Sequence, residues 1–304
     1  MYARTSVTTA AALLGVSALL LPGTATAATS ATTATTATSA AAPAARCAGP
    51  LVIAHRGASA YAPENTLPAV EAAEALGIDW VENDVQRTKD GRLVVIHDDN
   101  LVRTTDAEQV FPDRAPWKVK DFTAAEIARL DAGSWFGERW AGARVPTLEQ
   151  YLRAVEANQQ KLLLEIKAPE LYPDIEKDIL RVLRQEGWLD REHVRNKLVI
   201  QSFGADSVRA VHQGRPDITT GFLGTPPVAE LPSYAAFTDQ INPTHTSLTS
   251  EYVAAVHRLK GPHSKRLTVS TWTVNDAAGA VRVRDLGVDG IITNNPDVVR
   301  DAIG

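Results

Sequence analysis

Short apolar runs rich in β-branched residues alternate with amphipathic stretches along most of the chain, starting at residue 51. The apolar runs end at glycine, proline or polar residues, which is typical of buried strands. The stretches between them carry apolar residues at helical spacing. Strands that alternate with helices predict a parallel sheet, and eight such units favour closure into an α/β fold of the (β/α)8 TIM-barrel type.

The predicted elements follow one another in regular order. The strands are 51–56, 80–86, 161–167, 198–203, 219–223, 240–242, 267–274 and 290–293. The helices are 66–76, 147–158, 172–186, a segment from about 206, 251–259, 277–286 and 298–303. Thr147 is the expected N-cap of its helix, because a threonine side chain can accept a hydrogen bond from the first turn.

Two features interrupt this alternation after the second strand. Lys-Asp-Gly-Arg at 89–92 is a turn signal, and the strand-like run 93–97 follows it, so a hairpin is expected to extend the second strand. Residues 99–146 are rich in tryptophan and contain a helical stretch near 124–130. We interpret 99–146 as a helical insertion in a βα loop and expect it to form one wall of the site, because such loops surround a barrel mouth.

The first 46 residues are not expected to belong to the fold. Residues 1–27 have a positive start, an apolar stretch at 10–21 and Ala25-Thr26-Ala27, the small-x-small pattern of a secretory signal peptide. The apolar stretch is too short to span a bilayer, so an uncleaved anchor is the weaker alternative. Residues 28–46 are almost entirely Ala, Thr, Ser and Pro, which predicts a flexible linker. A secreted, extracellular protein with its folded domain at 47–304 is therefore expected.

Composition narrows the classes of partner. The chain has 304 residues, a formal net charge of -5 and no basic tract, which argues against binding to nucleic acid. Cys47 is the only cysteine, so an intramolecular disulfide is excluded. No apolar loop indicates stable insertion into a membrane, and the sequence identifies no protein partner.

Two carboxylates lie on one face of the second strand. Glu82 and Asp84 are two residues apart, so both side chains point the same way. Two like charges in a strand rich in apolar residues are costly unless a positive group neutralises them, and a hard divalent cation does so through oxygen ligands. A solvated acidic edge is the alternative, but it fits a central barrel strand poorly.

Glu165 and Lys167 repeat this pattern at the end of the predicted strand 161–167. Glu165 could supply a third carboxylate to the same cation, and Lys167 could hold an anionic substrate. An ion pair between the two residues, closing a layer of the barrel, is the alternative.

Two histidines also lie at strand ends. His55 precedes Arg56 at the end of the first strand, and His97 ends the run 93–97. Chemistry in parallel α/β folds takes place at the carboxyl ends of the strands. An arginine and a lysine suit a phosphate group, and two histidines suit acid/base catalysis on a phosphodiester. Phe203 and Trp272 are equally well interpreted as core residues or as substrate-facing residues.

Together these segments resemble the glycerophosphodiester phosphodiesterase family, of a secreted bacterial type. The resemblance covers the chain from about residue 51 in the family's order. It is carried by His55-Arg56-Gly57, Pro63-Glu64-Asn65-Thr66, Glu82-Asn83-Asp84-Val85, the run from His97-Asp98 to Arg103-Thr104-Thr105, Leu164-Glu165-Ile166-Lys167, Trp272-Thr273-Val274-Asn275 and Asp289 to Pro296. It implies a barrel enzyme, a phosphoric diester hydrolase that converts glycerophosphodiesters to glycerol 3-phosphate and an alcohol.

The resemblance also implies roles for individual residues. His55 and His97 would be the acid/base pair, Glu82, Asp84 and Glu165 the ligands of a divalent metal (Ca²⁺ or Mg²⁺), Arg56 and Lys167 the phosphate contacts, Phe203 and Trp272 the glycerol side, and Glu64 and Asn65 positioning groups. In the implied mechanism, one histidine takes the proton of the substrate's own 2-hydroxyl and the other protonates the departing alcohol. A cyclic phosphate then opens to water. Which histidine is the base stays open.

Three alternatives compete with this hypothesis. A phospholipase D-like enzyme on the same barrel would cleave a lipid headgroup, but the chain shows no apolar loop suited to a membrane surface. An enolase-type barrel also uses three metal carboxylates, but it needs a capping domain for which the N-terminal linker leaves no room. A secreted binding module without catalysis fits poorly with a complete set of polar site residues.

Overall fold

Eight parallel strands form a closed barrel in the computed structural model, which describes residues 49–304. The strands are β1 (Leu51–Ala54), β2 (Trp80–Arg87), β3 (Leu93–Val95), β4 (Lys161–Ile166), β5 (Leu198–Ser202), β6 (Thr219–Leu223), β7 (Gln240–Asn242), β8 (Thr268–Thr271) and β9 (Gly290–Thr293). Only β3 lies outside the parallel ring, since it runs antiparallel to β2 as the predicted hairpin. β1 pairs with both β2 and β9 and so closes the ring. The predicted (β/α)8 barrel is confirmed.

Eleven α-helices lie between residues 49 and 304, and most of them cover the outside of the barrel. They are α1 (Leu67–Ala75), α2 (Ala107–Val110), α3 (Ala124–Ile127), α4 (Leu148–Ala157), α5 (Ile175–Gln185), α6 (Arg191–Asn196), α7 (Ala205–Gly214), α8 (Leu231–Tyr234), α9 (Ser250–His257), α10 (Ala277–Asp285) and α11 (Pro296–Ile303). Thr147 caps α4 as predicted, accepting a hydrogen bond from the Gln150 N–H. Within residues 49–304, no helix has the length and apolar character needed to cross a bilayer.

An apolar layer fills the barrel beneath the site. It consists of Ile53, Leu163, Val199 and Ile292. Side chains two apart on a strand face the same side, so the residues two positions further along β4 and β5 also point inward. These are Glu165 and Gln201. The strands are therefore apolar at their centre and polar at their carboxyl ends, which places the polar groups at the mouth.

The insertion 99–146 packs around its own apolar cluster, which includes Leu101, Phe122 and Leu130. It contains α2, α3 and two short 3-10 helices, Val119–Asp121 and Glu138–Trp140. The lining of the central cavity comes from the barrel strands and their short loops and includes no residue of this insertion. Thr104, Ala132 and Val145 of the insertion instead line a second, smaller pocket together with His97. The insertion therefore adjoins the site beside His97 without lining the central cavity.

Several predicted bounds are also wrong. The run 267–274 is not one strand, because β8 ends at Thr271 and leaves Trp272 beyond the strand rather than inside it. The helix expected from 172 begins at Ile175, after a 3-10 turn at Pro169–Leu171. The short helices α6 and α8 were not predicted. The signal peptide, the linker and Cys47 lie outside the described residues.

Candidate active site

A cavity of about 110 Å³ opens at the carboxyl ends of the barrel strands. Most of the site residues predicted from the sequence line it, namely His55, Arg56, Glu82, His97, Glu165, Lys167, Phe203 and Trp272. Asp84, Glu64 and Asn65 lie behind this lining and contact it through hydrogen bonds and ion pairs. Gln201, Leu223, Thr273 and Ile292 complete the wall, and the sequence assigned no role to any of them.

The turn after β1 shows why glycine follows the His-Arg pair. Arg56 has a φ of 58° and Gly57 a φ of 78°, so the chain turns sharply as soon as the strand ends. A Cβ on Gly57 would approach the Ala69 carbonyl to 2.6 Å, so only glycine lets the turn pack against α1. The turn aims the Arg56 backbone N–H at Glu82, whose Oε2 accepts it at 2.9 Å.

Three carboxylates converge at the cavity. Glu82 and Asp84 come from one face of β2, as predicted, and Glu165 is the register neighbour of Asp84 on β4. One oxygen from each lies within 4.8 Å of the others, and all three side chains are buried. Burial, together with the charge of Asp84, raises the pKa of Glu82 well above its ordinary value and that of Glu165 to about 7. Clustered oxygen donors with excess negative charge fit a hard divalent cation.

Two positively charged side chains, Lys167 and Arg56, contact this carboxylate cluster. Lys167 Nζ lies 2.8 Å from Glu165 Oε1 and 3.4 Å from Asp84 Oδ1, while Arg56 Nε lies 3.3 Å from Asp84 Oδ2. Burial alone would raise the pKa of Asp84, but the charges of Arg56 and Lys167 outweigh it and lower that pKa to about 2. The Glu165–Lys167 ion pair considered as an alternative does exist, but it faces the cavity, where Lys167 stays accessible to an anion.

Each histidine is held through its Nδ1 atom. His55 Nδ1 lies 2.7 Å from Asn294 Oδ1, and because an amide oxygen only accepts, this nitrogen carries the proton and leaves the Nε2 lone pair free. His97 Nδ1 lies 2.7 Å from Asp98 Oδ1. Burial and the neighbouring Arg56 charge lower the pKa of His55 to about 4. Burial also lowers the pKa of His97, but the charge of Asp84 opposes this shift.

A hydrogen-bonded layer supports the cavity lining. Asn65 Nδ2 donates to Asp84 Oδ2 at 2.8 Å, and Arg56 Nη1 donates to Glu64 Oε1 at 2.8 Å. Arg103 then bridges Glu64 and Asp98, so one guanidinium links the groups behind Arg56 and behind His97. Asp98, Arg103 and Asn294 lie in the segments that carry the family resemblance, but the sequence gave none of them a role. Asp98 adjoins a predicted catalytic residue, which is a usable signal, but the other two roles depend on contacts between distant segments.

An aromatic pair borders the other side of the cavity. The ring centroids of Phe203 and Trp272 lie 5.5 Å apart in an edge-to-face arrangement. Phe203 is 49% exposed, and Trp272 Nε1 donates to the Asn242 carbonyl at 2.9 Å. The Phe203 ring is therefore exposed, whereas the half-buried Trp272 ring packs against the apolar layer of the barrel. Both rings present apolar surface to the cavity.

Fold and site together define the class of (β/α)8-barrel enzymes, which carry their reactive groups at the carboxyl ends of the strands. Comparison with known proteins identifies the family. The model of the "Glycerophosphoryl diester phosphodiesterase family" matches residues 55–298. The chain therefore belongs to this family, and the predicted enzyme class, a phosphoric diester hydrolase, is confirmed.

Relatives support the assignment over most of the chain. A glycerophosphodiester phosphodiesterase of Bacillus subtilis (strain 168) is 35% identical over 267 residues, covering 82% of this chain and 84% of its own. Another, from Caldanaerobacter subterraneus subsp. tengcongensis, is 36% identical over 253 residues, covering 82% and 96%. An Oleispira antarctica phosphodiesterase, solved with the product sn-glycerol-3-phosphate, superposes with a TM-score of 0.72 at 28% identity, covering 84% and 97%.

Proposed function

We propose that the protein hydrolyses glycerophosphodiesters to glycerol 3-phosphate and an alcohol, with Ca²⁺ or Mg²⁺ as cofactor. The observation that carries the proposal is the cavity itself, where three buried carboxylates, two cations and two oriented histidines meet. The names of the Bacillus and Caldanaerobacter relatives and the product bound to the Oleispira enzyme support the same substrate class.

Charge explains how the site would bind a phosphodiester. Lys167 and Arg56 supply positive charge at the cavity wall, and both pKa values are raised above normal because neighbouring carboxylates outweigh the effect of burial. Both side chains are thus permanently charged partners for phosphate oxygens. A divalent cation held by Glu82, Asp84 and Glu165 would further neutralise the phosphate and lower the pKa of a substrate hydroxyl.

The two histidines would move the protons. In the proposed first step, His55 Nε2 takes the proton of the glycerol 2-hydroxyl, whose oxygen attacks phosphorus. The bond from phosphorus to the alcohol oxygen breaks, and His97 donates a proton to that oxygen. Water then opens the cyclic phosphate with the histidine roles reversed. The assignment follows from the Nδ1 partners: Asn294 holds a neutral ring, whereas the Asp98 carboxylate favours the imidazolium that an acid requires.

The proposal is tested by incubating the purified protein with a panel of diesters. Glycerophosphocholine, glycerophosphoethanolamine and glycerophosphoglycerol should release glycerol 3-phosphate, detected with a coupled dehydrogenase. A chelator should abolish the release, and Ca²⁺ or Mg²⁺ should restore it. Headgroup release from lysophosphatidylcholine or sphingomyelin alone would indicate a phospholipase D-like enzyme, and no turnover of any diester would indicate a binding module.

We further propose that the protein is exported, as residues 1–27 predict. Mass spectrometry of culture medium should find a chain that begins near Ala28. Leu14→Arg with Leu20→Arg interrupts the apolar stretch and should keep the protein inside the cell, because a signal peptide needs that stretch. Full-length protein found only in the cytosol of cells expressing the unaltered chain would contradict export.

A further inference from the structure

Gln201 is a buried polar residue of the cavity that the mechanism above does not use. It lies at the carboxyl end of β5, where its register partner on β4 is Glu165. The side chain is only 1% exposed, yet it lines the cavity. A buried amide must satisfy both its oxygen and its nitrogen, so the partners of each atom show whether this residue has spare capacity.

The orientation of the Gln201 amide follows from its neighbours. Asn242 Oδ1 accepts the Ser270 backbone N–H at 3.1 Å, and since a backbone N–H only donates, the Asn242 amide has only one possible orientation. Its Nδ2 therefore donates, to Gln201 Oε1 at 2.9 Å and to Gln240 Oε1 at 3.3 Å. The oxygen of Gln201 is thus committed to Asn242.

The nitrogen of Gln201 is left over. Gln201 Nε2 makes no hydrogen bond to any residue between 49 and 304. It is also not one of the fully buried side-chain atoms that lack a hydrogen-bond partner, so part of its surface is accessible. Since the side chain is otherwise buried, the space that this nitrogen reaches is the cavity. Its two N–H groups are donors presented to a ligand.

A glycine on β6 makes this arrangement possible. Gly221 lies in register between Gln201 and Gln240, and a Cβ there would approach Asn242 Nδ2 to 2.9 Å. The missing side chain lets the Asn242 amide cross β6 and reach Gln201. Three amides and a glycine thus fix one donor in place, which is more structure than packing alone requires.

The position of this donor indicates its ligand. Glu165 lies beside Gln201 on the neighbouring strand β4, and Phe203, just past the end of β5, lines the same cavity. The donor is therefore placed between the carboxylate cluster and the aromatic pair. Arg56 and Lys167 already supply charge for the phosphate, whereas a neutral amide suits a neutral oxygen. We propose that Gln201 Nε2 donates a hydrogen bond to a hydroxyl oxygen of the substrate's glycerol group. The site would then prefer glycerol phosphate over phosphate esters of alcohols that lack this hydroxyl.

This inference rests on the proposed function, and binding measurements can test it separately. Calorimetry would compare glycerol 3-phosphate with ethyl phosphate, which keeps the phosphate and lacks the hydroxyls, in buffer containing Mg²⁺. Wild-type protein should prefer glycerol 3-phosphate. Gln201→Met removes the donor and should reduce this preference about tenfold, the effect of one or two hydrogen bonds. Gln213→Met makes the same substitution at an exposed position on α7 that does not line the cavity, and it should leave the preference unchanged.

Each outcome separates the two proposals. An unchanged preference in a folded Gln201→Met, or equal weakening of both ligands, would overturn the role of Gln201 while leaving hydrolysis intact. If Gln201→Met does not fold, Gln201→Glu keeps the acceptor for Asn242 and replaces only the nitrogen, and it should lose the same preference ratio. Absence of diester turnover together with Gln201-dependent binding of glycerol 3-phosphate would overturn the proposed function alone.

Discussion

Replacing either His55 or His97 with alanine is expected to reduce turnover of a glycerophosphodiester by about a hundredfold or more, because each removes one of two proton transfers. The two rings are held by separate partners, Asn294 and Asp98, so each variant removes one transfer and leaves the other geometry in place. The double variant should be little worse than the less active single one, since residues that act as a unit are not additive. Steady-state kinetics on glycerophosphocholine would measure these effects.

A matched control separates chemistry from folding. His212 lies on α7, does not line the cavity, and its replacement with alanine should leave turnover within about twofold of wild type. Melting temperatures of all variants should stay close to that of the wild-type protein, because neither catalytic ring belongs to the apolar core. Near wild-type turnover in either His55→Ala or His97→Ala would show that the paired-histidine mechanism is wrong.

A good leaving group assigns the two roles. A glycerophosphate ester of 4-nitrophenol needs little protonation of its leaving oxygen, so it should restore much of the activity of the variant that lacks the acid. With the assignment proposed above, His97→Ala should be rescued and His55→Ala should not. The reverse pattern would exchange the two roles.

Elements with a local signal were predictable from the sequence. The alternation of strands and helices predicted the barrel, because each strand–helix unit shows its apolar face in its own sequence pattern. The Asp90-Gly91 turn predicted the hairpin between β2 and β3. The end of β8 had no such signal. The β-branched run continues through Val274, but register pairing with β9 ends at Ile291↔Thr271, and no local feature of the run marks that end.

In the site, too, local patterns were predictable from the sequence and contacts between distant segments were not. Glu82 and Asp84 could be placed on one face because strand periodicity is local. Asn294 lies 239 residues from the His55 it orients, and Arg103 lies 39 residues from Glu64. Pairings of this kind are set by how the barrel closes. Gln201 is the clearest example, because Asn242, 41 residues later in the chain, binds its oxygen and so leaves its nitrogen free.

Glu82→Gln is expected to abolish most of the stabilisation that Ca²⁺ or Mg²⁺ gives the wild-type protein, and most of its activity. A cation that binds only the folded state at about a hundred times its dissociation constant adds about 2.7 kcal/mol of stability. For a domain of this size that corresponds to a rise in melting temperature of roughly 5–10 °C. Glu82 supplies one of three clustered carboxylates, so its loss should remove most of this rise. Differential scanning calorimetry with and without metal would measure it.

The control is an acidic residue outside the cluster. Glu74 is exposed on α1, and Glu74→Gln makes the same substitution away from the cluster. Its response to metal should equal that of the wild-type protein. An equal metal response in Glu82→Gln would remove Glu82 from the ligand set.

The metal response should also be larger at pH 8 than at pH 5.5. Burial and the charge of Asp84 raise the pKa of Glu165 to about 7, above the ordinary value of 4.5 expected in the unfolded chain. In metal-free protein this carboxyl destabilises the fold progressively as pH rises from 4.5 to 7, because the folded state resists losing the proton. At pH 8 the Glu165 carboxylate is already ionised, so a bound metal cation offsets the destabilisation caused by its buried charge. At pH 5.5 the cation must first displace the Glu165 proton. The proton therefore lowers the apparent metal affinity at pH 5.5 relative to pH 8. Equal rises in melting temperature at both pH values would show that Glu165 does not bind the metal as a carboxylate.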